Sequence, residues 1–460
     1  MTSYSAIGWI LATSYAFSIS ASDAAGNASP KSAGVSVATP SSSGNVYHGD
    51  PTNYLQLLSG LKAGDTLILA AGSYDNSSAV PGFPVFGLNG TAQAPITITG
   101  PSAGAPAVLL GRAGYNTVRI ANASYVIIRN LEIDGRNLGG DGVKAQGTAH
   151  HITLENLLIH GVGDDQGTVG ISTNGGTSWN WVIRSNTIIA AGTGMYLGHS
   201  TGNSPFVAGL IEHNLVRDTI GYNIQIKHQN PRPMIAGMPT SKSSTIIRHN
   251  VFSKSANSSS GSFSRPNLLV GHFPLSGVGG DDVYEIYGNF FYQNPAEALF
   301  QGEGNIAFHH NLLVNDSGAA INIQPHNAAP RMVRVFHNTI VAKNVGIRVT
   351  GGSTSHQQIV IGNAVFAATP IEAQTQQQNV ADTYTSAVNY LNNPSGPLEK
   401  LDLYPRSGAL KGTAIDTRGF SMFSDWNRDF NGRTQDESWR GAYSGEGSNP
   451  GWSLKLDRKP

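Results

Sequence analysis

Three short segments, "GMYLGH", "NIQIKH" and "NLLVGH", place basic, aromatic and amide side chains at matching positions. In the second segment Lys227 and His228 end an alternating run, and the proline-rich corner "QNPRP" follows with Arg232. A lysine crowded by imidazoles loses its proton more readily, because burial and neighbouring positive charge both disfavour the ammonium form. Such an amine can take a proton from carbon if a second group neutralises the developing negative charge and a third protonates the leaving oxygen.

The chemistry that needs this set is removal of the proton next to the carboxylate of a uronate sugar. Lys227 is the expected base. Arg232 or His272 is expected to hold the carboxylate, and Tyr196 or His199 is expected to protonate the departing sugar oxygen. The side chains expected to bind substrate around them are His228, Gln225, Tyr222, Asn223, Arg265, Phe273, Gln301 and Glu303.

These residues lie within a repeat. Nine similar lines, among them "VIIRNLEIDG", "LIEHNLVRDT" and "VRVFHNTIVAK", each carry one asparagine, and the asparagines are 22 to 39 residues apart. A period in this range is typical of a solenoid, and alternating residues rich in Val, Ile and Phe indicate strands. We therefore predict an all-β, right-handed parallel β-helix with stacked asparagines at its corners. The asparagines are Asn130, Asn156, Asn186, Asn214, Asn250, Asn289, Asn311, Asn338 and Asn363.

A second strand in each coil fixes which side chains face outward, because successive residues of a strand point to opposite faces. The predicted inward residues are Val143, Ile171, Met195, Ile224, Leu268, Leu299, Ile321 and Ile347. Tyr196, Gln225 and Leu269 then form one outward row, and Lys227 lies between Gly198 and Gly271 in the next. The insertions "QNPRPMIAGMPTSKSS" and "SANSSSGSFSRP" are expected to wall a cleft over Lys227.

The two ends of the chain do not follow this repeat. Residues 1–45 resemble the last strands of a fibronectin type III module followed by a linker, and residues 46–370 form the predicted β-helix. Within it, "NYLQLLSGLKAGDTLILAAGSY" predicts a short helix that caps the stack, followed by a strand. Residues 371–460, where the period fades, are expected to form an irregular C-terminal cap with closing loops.

Composition limits the function classes. Lys and Arg number 29 against 29 Asp and Glu, which argues against nucleic acid as a partner. The chain has no cysteine, its charged fraction is 13%, and no apolar run reaches the roughly 18 residues needed to span a membrane. No Lys or Arg precedes Lys31, so the basic start of an export signal is missing. We nevertheless expect a secreted, bacterial-type, monomeric protein without a membrane partner, because Gly, Ser, Thr and Asn are abundant.

At these residues the chain resembles the right-handed parallel β-helix polysaccharide lyases, nearest to the chondroitinase B and alginate lyase type, over residues 46 to about 445. "QIKHQN" matches the lysine coil of that family at Lys227. "LLVGH" matches the next coil at His272 but has Gly271 where the family has an arginine, so the resemblance implies that Arg232 or Arg265 replaces it. The family's calcium-binding acids have no clear counterpart, which implies that no cofactor is required.

Three alternatives stay open. Asp141, Asp164 and Asp165 fit loosely the order of aspartates in pectin hydrolases on this fold, and the same acids are candidate calcium ligands. A uronate epimerase would use similar proton abstraction. A non-catalytic β-helix could bind sugars through aromatic side chains such as Tyr222, Phe273, Tyr292 and Phe300. The expected function is a secreted lyase that cleaves an anionic, uronate-containing polysaccharide by β-elimination.

Overall fold

The chain folds mainly as one long stack of parallel strands. The computed structural model describes residues 14–18, 20, 29–38, 44–75 and 82–460. Its largest sheet contains 33 strands, and strands of successive coils pair in parallel, as expected of an all-β parallel β-helix. No helix among the described residues is long and apolar enough to cross a membrane.

The strands form three faces. Four long strands continue from one face into the next. Val118–Arg129 and Val143–Glu155 run from the third face into the first, and Thr339–Val349 and Ala364–Ala373 run from the second into the third. The first face contains Val46–Gly49, Thr66–Leu69, Ile96–Thr99, Val118–Arg129, Val143–Glu155, Val182–Arg184, Leu210–Glu212, Ser244–Arg248, Val283–Tyr287, Ile306–His309, Val333–Phe336, Gln358–Ile361 and Gln376–Gln377. The second face contains Gly72–Asp75, Ala107–Leu110, Glu132–Asp134, Leu158–His160, Thr187–Ile189, Leu215–Arg217, Val251–Ser253, Phe290–Tyr292, Leu312–Asn315, Thr339–Val349, Ala364–Ala373 and Val380–Asp382. The third face contains Phe83–Phe86, Val169–Trp179, Thr193–Leu197, Ile224–Ile226, Leu268–Val270, Phe300–Gly302 and Ile321–Ile323, with Phe206–Val207 beside the end of Val169–Trp179. Parallel pairing thus continues beyond residue 370, to Asp382.

Few elements lie outside this stack. Two antiparallel pairs join Ser14–Phe17 to Val35–Ala38 and Leu391–Asn393 to Asp402–Pro405. The likeness to a fibronectin type III module stays a prediction, since much of residues 1–45 lies outside the described residues. The one α-helix among the described residues, Tyr54–Ser59, buries Tyr54 and Leu58, and its role as an end cap also stays a prediction. Short 3-10 helices are found at Gly261–Phe263, Tyr384–Asn389, Leu398–Lys400 and Arg418–Phe420.

The predicted inward row of the third face is correct at seven of its eight positions. Leu268 pairs with Phe300 rather than with Leu299, and Phe300 pairs in turn with Ile321. The ring of Phe300 is fully buried and lies 4.7 Å from that of Phe308. The proposal that Phe300 stacks on sugars is therefore wrong, because its ring is buried in the interior and cannot contact a ligand. The outward row Tyr196, Gln225 and Leu269 is confirmed.

Stacked asparagines hold one corner of the coils. From Asn186 to Asn363 each side chain is fully buried, and each Nδ2 donates to the Oδ1 of the asparagine in the next coil at 2.9 to 3.1 Å. The last partner is Asn379. Each of these oxygens also accepts the backbone N–H of the preceding asparagine. The column therefore satisfies backbone groups that would otherwise be buried without partners.

Asn130 and Asn156 do not belong to this column, although the sequence predicted nine asparagines in register. Both have positive φ angles, of 55° and 50°, and they occupy the position of Ser185, one residue before Asn186. In four later coils a histidine has this left-handed conformation, and the asparagine of the column follows it directly. These histidines are His213, His249, His310 and His337. The left-handed corner and the buried amide are therefore two separate positions.

The C-terminal segment covers the sides of the stack. Outward apolar residues of the second face, such as Leu215 and Phe290, pack with Tyr404, Phe430 and Tyr443 from this segment. A second cluster joins outward residues of the first face to Phe420 and Phe423. We expected this segment to close the end of the stack, but its apolar side chains lie along two of the three faces. The third face is left open to solvent over the coils that carry Lys227.

Candidate active site on the third face

A cavity of about 270 Å³ opens on the third face. Its floor comes from four consecutive strands, Ile224–Ile226, Leu268–Val270, Phe300–Gly302 and Ile321–Ile323. Residues 264–266 form one wall, and residues 324–327 form the other. A larger and more open hollow, about 720 Å³, lies beside residues 457–460 and contains none of the predicted site residues. The smaller cavity is therefore the candidate active site.

Lys227 lies at the end of its strand and faces this cavity. Its backbone N–H donates to the carbonyl of Leu197 at 2.9 Å, which fixes its position in the stack. The side chain is half-buried, and Nζ lies 5.8 Å from the centre of the Tyr196 ring. Nζ makes no hydrogen bond or ion pair with the described residues. Burial lowers the pKa of this amine, while the negative charge of Glu303 opposes the shift.

Tyr196 lies beside Lys227 but does not line the cavity, whereas Tyr222 lines it. Burial raises the pKa of Tyr196, and the nearby Tyr222 raises it further. Burial also raises the pKa of Tyr222, although Arg265 opposes that shift. Both phenols therefore keep their protons at neutral pH. A lysine with a lowered pKa beside a tyrosine with a raised pKa provides a proton acceptor next to a proton donor.

Arg265 supplies the free guanidinium of the cavity. It lies 5.9 Å from the centre of the Tyr222 ring, and its Nη1 donates to the carbonyls of Ser262 and Ser264 at 3.1 and 2.7 Å. Among the described residues no carboxylate lies within ion-pair distance of it. Lys254 Nζ and Asn294 Nδ2 hold the Arg265 carbonyl at 2.8 and 2.9 Å. The Arg265 backbone is thus held in place, while the guanidinium donors other than Nη1 have no hydrogen-bond partner among the described residues.

Gly271, where the resemblance expects arginine, has no room for a side chain. A Cβ atom there would lie 2.4 Å from the backbone nitrogen of His228. His228 lines the cavity, and burial lowers its pKa. Its ring lies 5.3 Å from that of His272, whose Nδ1 bonds to the carbonyl of Phe273 at 2.7 Å. His272 does not line the cavity, so the structure does not place it to hold a carboxylate.

Arg232 is also not at the cavity. Its side chain is 2% exposed, and the guanidinium forms a buried ion pair with Asp282 and donates to the carbonyl of Pro239 at 2.9 Å. Its insertion packs instead at the end of the strand Val169–Trp179, where Met238 joins a cluster with Trp179 and Val207. Only the second predicted insertion walls the cavity. An unpaired buried charge is costly, so Arg232 stays with Asp282.

Three other predicted residues make structural contacts instead. His199 bonds through Nδ1 to Thr201 Oγ1 at 2.9 Å within an exposed turn. Phe273 is buried and stacks on Tyr284 with ring centres 4.3 Å apart. Asn223 is fully buried and donates to Thr219 Oγ1 at 3.0 Å. None of the three lines the cavity.

The predicted binding residues Gln225, Gln301, Tyr222 and Glu303 line the cavity, together with residues that the sequence analysis missed. The missed residues are Ser264, Asn322, Gln324, His326 and Asn327. A signal for His326 was present, since "INIQPH" continues the series of histidines at strand ends. Asn322 Oδ1 and His228 Nδ1 are buried and have no partner among the described residues. Unpaired polar atoms of this kind are uncommon and fit a site that binds a ligand.

The three candidate aspartates bond to protein groups of their own or a neighbouring coil. Asp141 accepts from Lys144 Nζ at 2.9 Å and from the Val169 N–H at 3.0 Å. Asp164 accepts the Gly139 N–H, and Asp165 accepts the Gly167 N–H, each at 2.6 Å. In the described part of the chain no group of three or more His, Asp or Glu side chains is arranged to hold a metal ion. None of these acids lines the cavity.

Comparisons with known proteins were made on sequence and on structure. No family model and no curated protein matches the sequence. Solved structures that match include an alginate lyase from Paenibacillus sp. (18% identity, 74% of this chain, 99% of that chain, TM-score 0.42) and the pectate lyase Pel9A (13%, 91%, 97%, 0.48). Another is a lacto-N-biosidase from Eubacterium ramulus (12%, 74%, 67%, 0.39). These likenesses carry no argument about activity, which must come from the site itself.

Proposed function

We propose that this protein is a secreted polysaccharide lyase that cleaves an anionic, uronate-containing polysaccharide by β-elimination. The observation that carries the proposal is that Lys227 and Arg265 share a cavity, neither in an ion pair with a described residue, and that the protonated Tyr196 lies beside Lys227. Proton acceptor, positive charge and proton donor are the three groups that this reaction needs.

Lys227 acts as the base. Burial shifts its pKa downward, so a larger fraction of the amine is neutral and able to accept a proton than in a solvated lysine. The neutral Nζ takes the proton from the carbon next to the uronate carboxylate. The electron pair of that C–H bond becomes the new carbon–carbon double bond, and the bond to the glycosidic oxygen breaks.

Arg265 holds the carboxylate while negative charge develops on it. A guanidinium suits this role because its planar donors match two carboxylate oxygens. The amides of Gln225 and Gln301, both on the cavity surface, provide further donors. In this chain the charge therefore comes from a wall of the cavity, because Gly271 on the floor has no space for an arginine.

Tyr196 protonates the leaving oxygen. Its raised pKa keeps the phenol protonated until the glycosidic bond breaks. Lys227 and Tyr196 lie on adjacent coils, and neighbouring strands are about 4.8 Å apart. Lys227 Nζ lies 5.8 Å from the centre of the Tyr196 ring, so both groups can reach one sugar linkage.

A hydrolytic alternative lacks its acids. Inverting or retaining hydrolysis needs two carboxyl groups beside the scissile bond. Among the described residues, Glu303 is the one carboxylate that lines the cavity, and its oxygens accept bonds from the protein. An epimerase would use the same base, but it would leave the polymer intact.

The test is to incubate the protein with a panel of uronate polysaccharides and to analyse the products by ultraviolet absorbance and mass spectrometry. We expect an unsaturated end that is one water lighter than a hydrolytic product. Lys227→Met should abolish this product, whereas Lys242→Met, at an exposed lysine of the loop after Lys227, should not. Saturated products, or an undiminished rate in Lys227→Met, would refute the proposal.

A further inference from the structure

Glu303 lines the cavity but is 2% exposed. Its Oε2 accepts the backbone N–H groups of His326, Asn327 and Ala328 at 3.1, 2.8 and 2.9 Å. Its Oε1 accepts from Asn327 Nδ2 at 3.2 Å and from the His272 N–H at 3.4 Å. The protein thus provides donors for both oxygens, and a substrate would have to displace them.

We propose that Glu303 is a positioning residue: its carboxylate holds the wall of residues 324–328 over the cavity and stands as the counter-charge to Lys227. This inference rests on the proposed function, in which Lys227 is the base. It replaces the sequence-based expectation that Glu303 binds substrate.

The wall depends on Glu303 because, apart from the bonds to Glu303, residues 324–328 make one hydrogen bond to another described residue, from the Gln324 N–H to the Gly302 carbonyl at 3.3 Å. Residues 324–327 follow the strand Ile321–Ile323 and lie outside any strand, and the side chains of residues 324–327 are exposed. Three consecutive N–H groups point to one carboxylate oxygen, which accepts all three. A glutamine in the same place would have to turn an NH₂ group either toward these donors or toward the His272 N–H. Replacing the carboxylate should therefore release the wall, including His326.

Glu303 also acts on Lys227 through charge. Glu303 makes no ion pair with a described Lys or Arg side chain, so its charge is balanced by N–H dipoles and by longer-range interactions. It favours the ammonium form of Lys227, in opposition to burial. The other titratable or charged groups around Lys227 are Tyr196, Tyr222, His228, Arg265 and His326, with His272 behind His228. None of these other groups is a carboxylate, so Glu303 alone among them can act as a counter-charge to Lys227.

The first test separates charge from simple structural damage. In Glu303→Gln the titration of the Lys227 amine should lie at lower pH than in Glu303→Asp, since both variants loosen the wall but the glutamine also removes the counter-charge. It can be followed by ¹³C NMR after reductive methylation, with Lys227→Arg identifying the resonance. Glu297→Gln is the control, because it removes a nearby carboxylate that does not shift Lys227. Equal Lys227 titrations in Glu303→Gln and Glu303→Asp would overturn the proposal.

The NMR titration does not require turnover, so it tests the role of Glu303 whether or not the lyase assay detects a product. If the protein forms unsaturated products, kcat/KM should rise with pH as Lys227 loses its proton. This rising limb of the pH profile should lie at lower pH in Glu303→Gln than in Glu303→Asp.

The second test needs no charge change. In the wild-type protein the amides of residues 326–328 should be protected from hydrogen exchange although the wall is exposed. In Glu303→Asp, which keeps the charge but shortens the side chain, these amides should exchange about tenfold faster, as expected for loss of one hydrogen bond. Unprotected amides in the wild-type protein would contradict the positioning role even if Glu303→Gln fails to fold.

Discussion

The asparagine column makes a quantitative prediction at Asn250. Its Nδ2 donates to the Ile211 carbonyl at 2.9 Å and to Asn289 Oδ1 at 3.0 Å. Its Oδ1 accepts the backbone N–H and the Nδ2 of Asn214 at 3.0 and 2.9 Å. Substitution by alanine removes all four bonds, but the Asn250 backbone N–H keeps its bond to Asn289.

The cost follows from the donors that lose their partner. Two donors of the fully buried Asn214 are left unsatisfied in Asn250→Ala. Each unsatisfied buried group costs about 1–3 kcal/mol, so the free energy of unfolding should fall by about 2–6 kcal/mol.

Urea unfolding followed by circular dichroism measures this difference, and hydrogen exchange at the Asn214 amide shows whether the loss is local. Asn344→Ala is the matched control, because Asn344 is an exposed strand residue whose side chain makes no hydrogen bond with the described residues. A difference between the two variants below about 0.5 kcal/mol would refute the claim that the buried amides stabilise the stack.

Three further predictions concern the site. Arg265→Met should lower kcat/KM on the anionic polymer by about 100-fold, through loss of the charge that holds the carboxylate, and steady-state kinetics would show it; an unchanged value would exclude this role. Gly271→Ala should lower the free energy of unfolding by about 1–3 kcal/mol in thermal unfolding, because its Cβ would meet the His228 backbone; full stability would show that the coils can separate there. Burial holds the pKa of Lys254 at about 7 in the folded protein, below the roughly 10.4 of an unfolded lysine. The unfolded chain therefore binds more protons between these values, and stability should rise with pH across this window, with a slope that Lys254→Met reduces by at most about 1.4 kcal/mol per pH unit; an equal slope in both proteins would contradict the assignment.

The sequence was sufficient for the strands of the third face because their alternation repeats from coil to coil. The register of Tyr196 with Gln225, and the outward position of Lys227, depend only on that repeat. The shift from Leu299 to Phe300 shows its limit. Both residues are apolar and buried, so periodicity could not tell which one pairs with Leu268.

Non-periodic segments could not be placed in this way. Arg232 and Arg265 both lie in insertions beside the Lys227 coil, and each had the charge to bind a carboxylate. Their difference comes from tertiary partners, since Asp282 pairs with Arg232 whereas Lys254 anchors only the carbonyl of Arg265. Asp282 lies 50 residues from Arg232 in the chain, and no pattern in the sequence links them.

The central claim is that the amine of Lys227 removes the proton. The most direct measurement is chemical rescue: the rate of unsaturated product formation by Lys227→Ala, with and without added small primary amines, on a polysaccharide that the wild-type protein cleaves. We expect almost no product without amine and a rate that rises with amine concentration, because the cavity then admits a replacement base. Product formation by Lys227→Ala at the wild-type rate without amine would contradict the account.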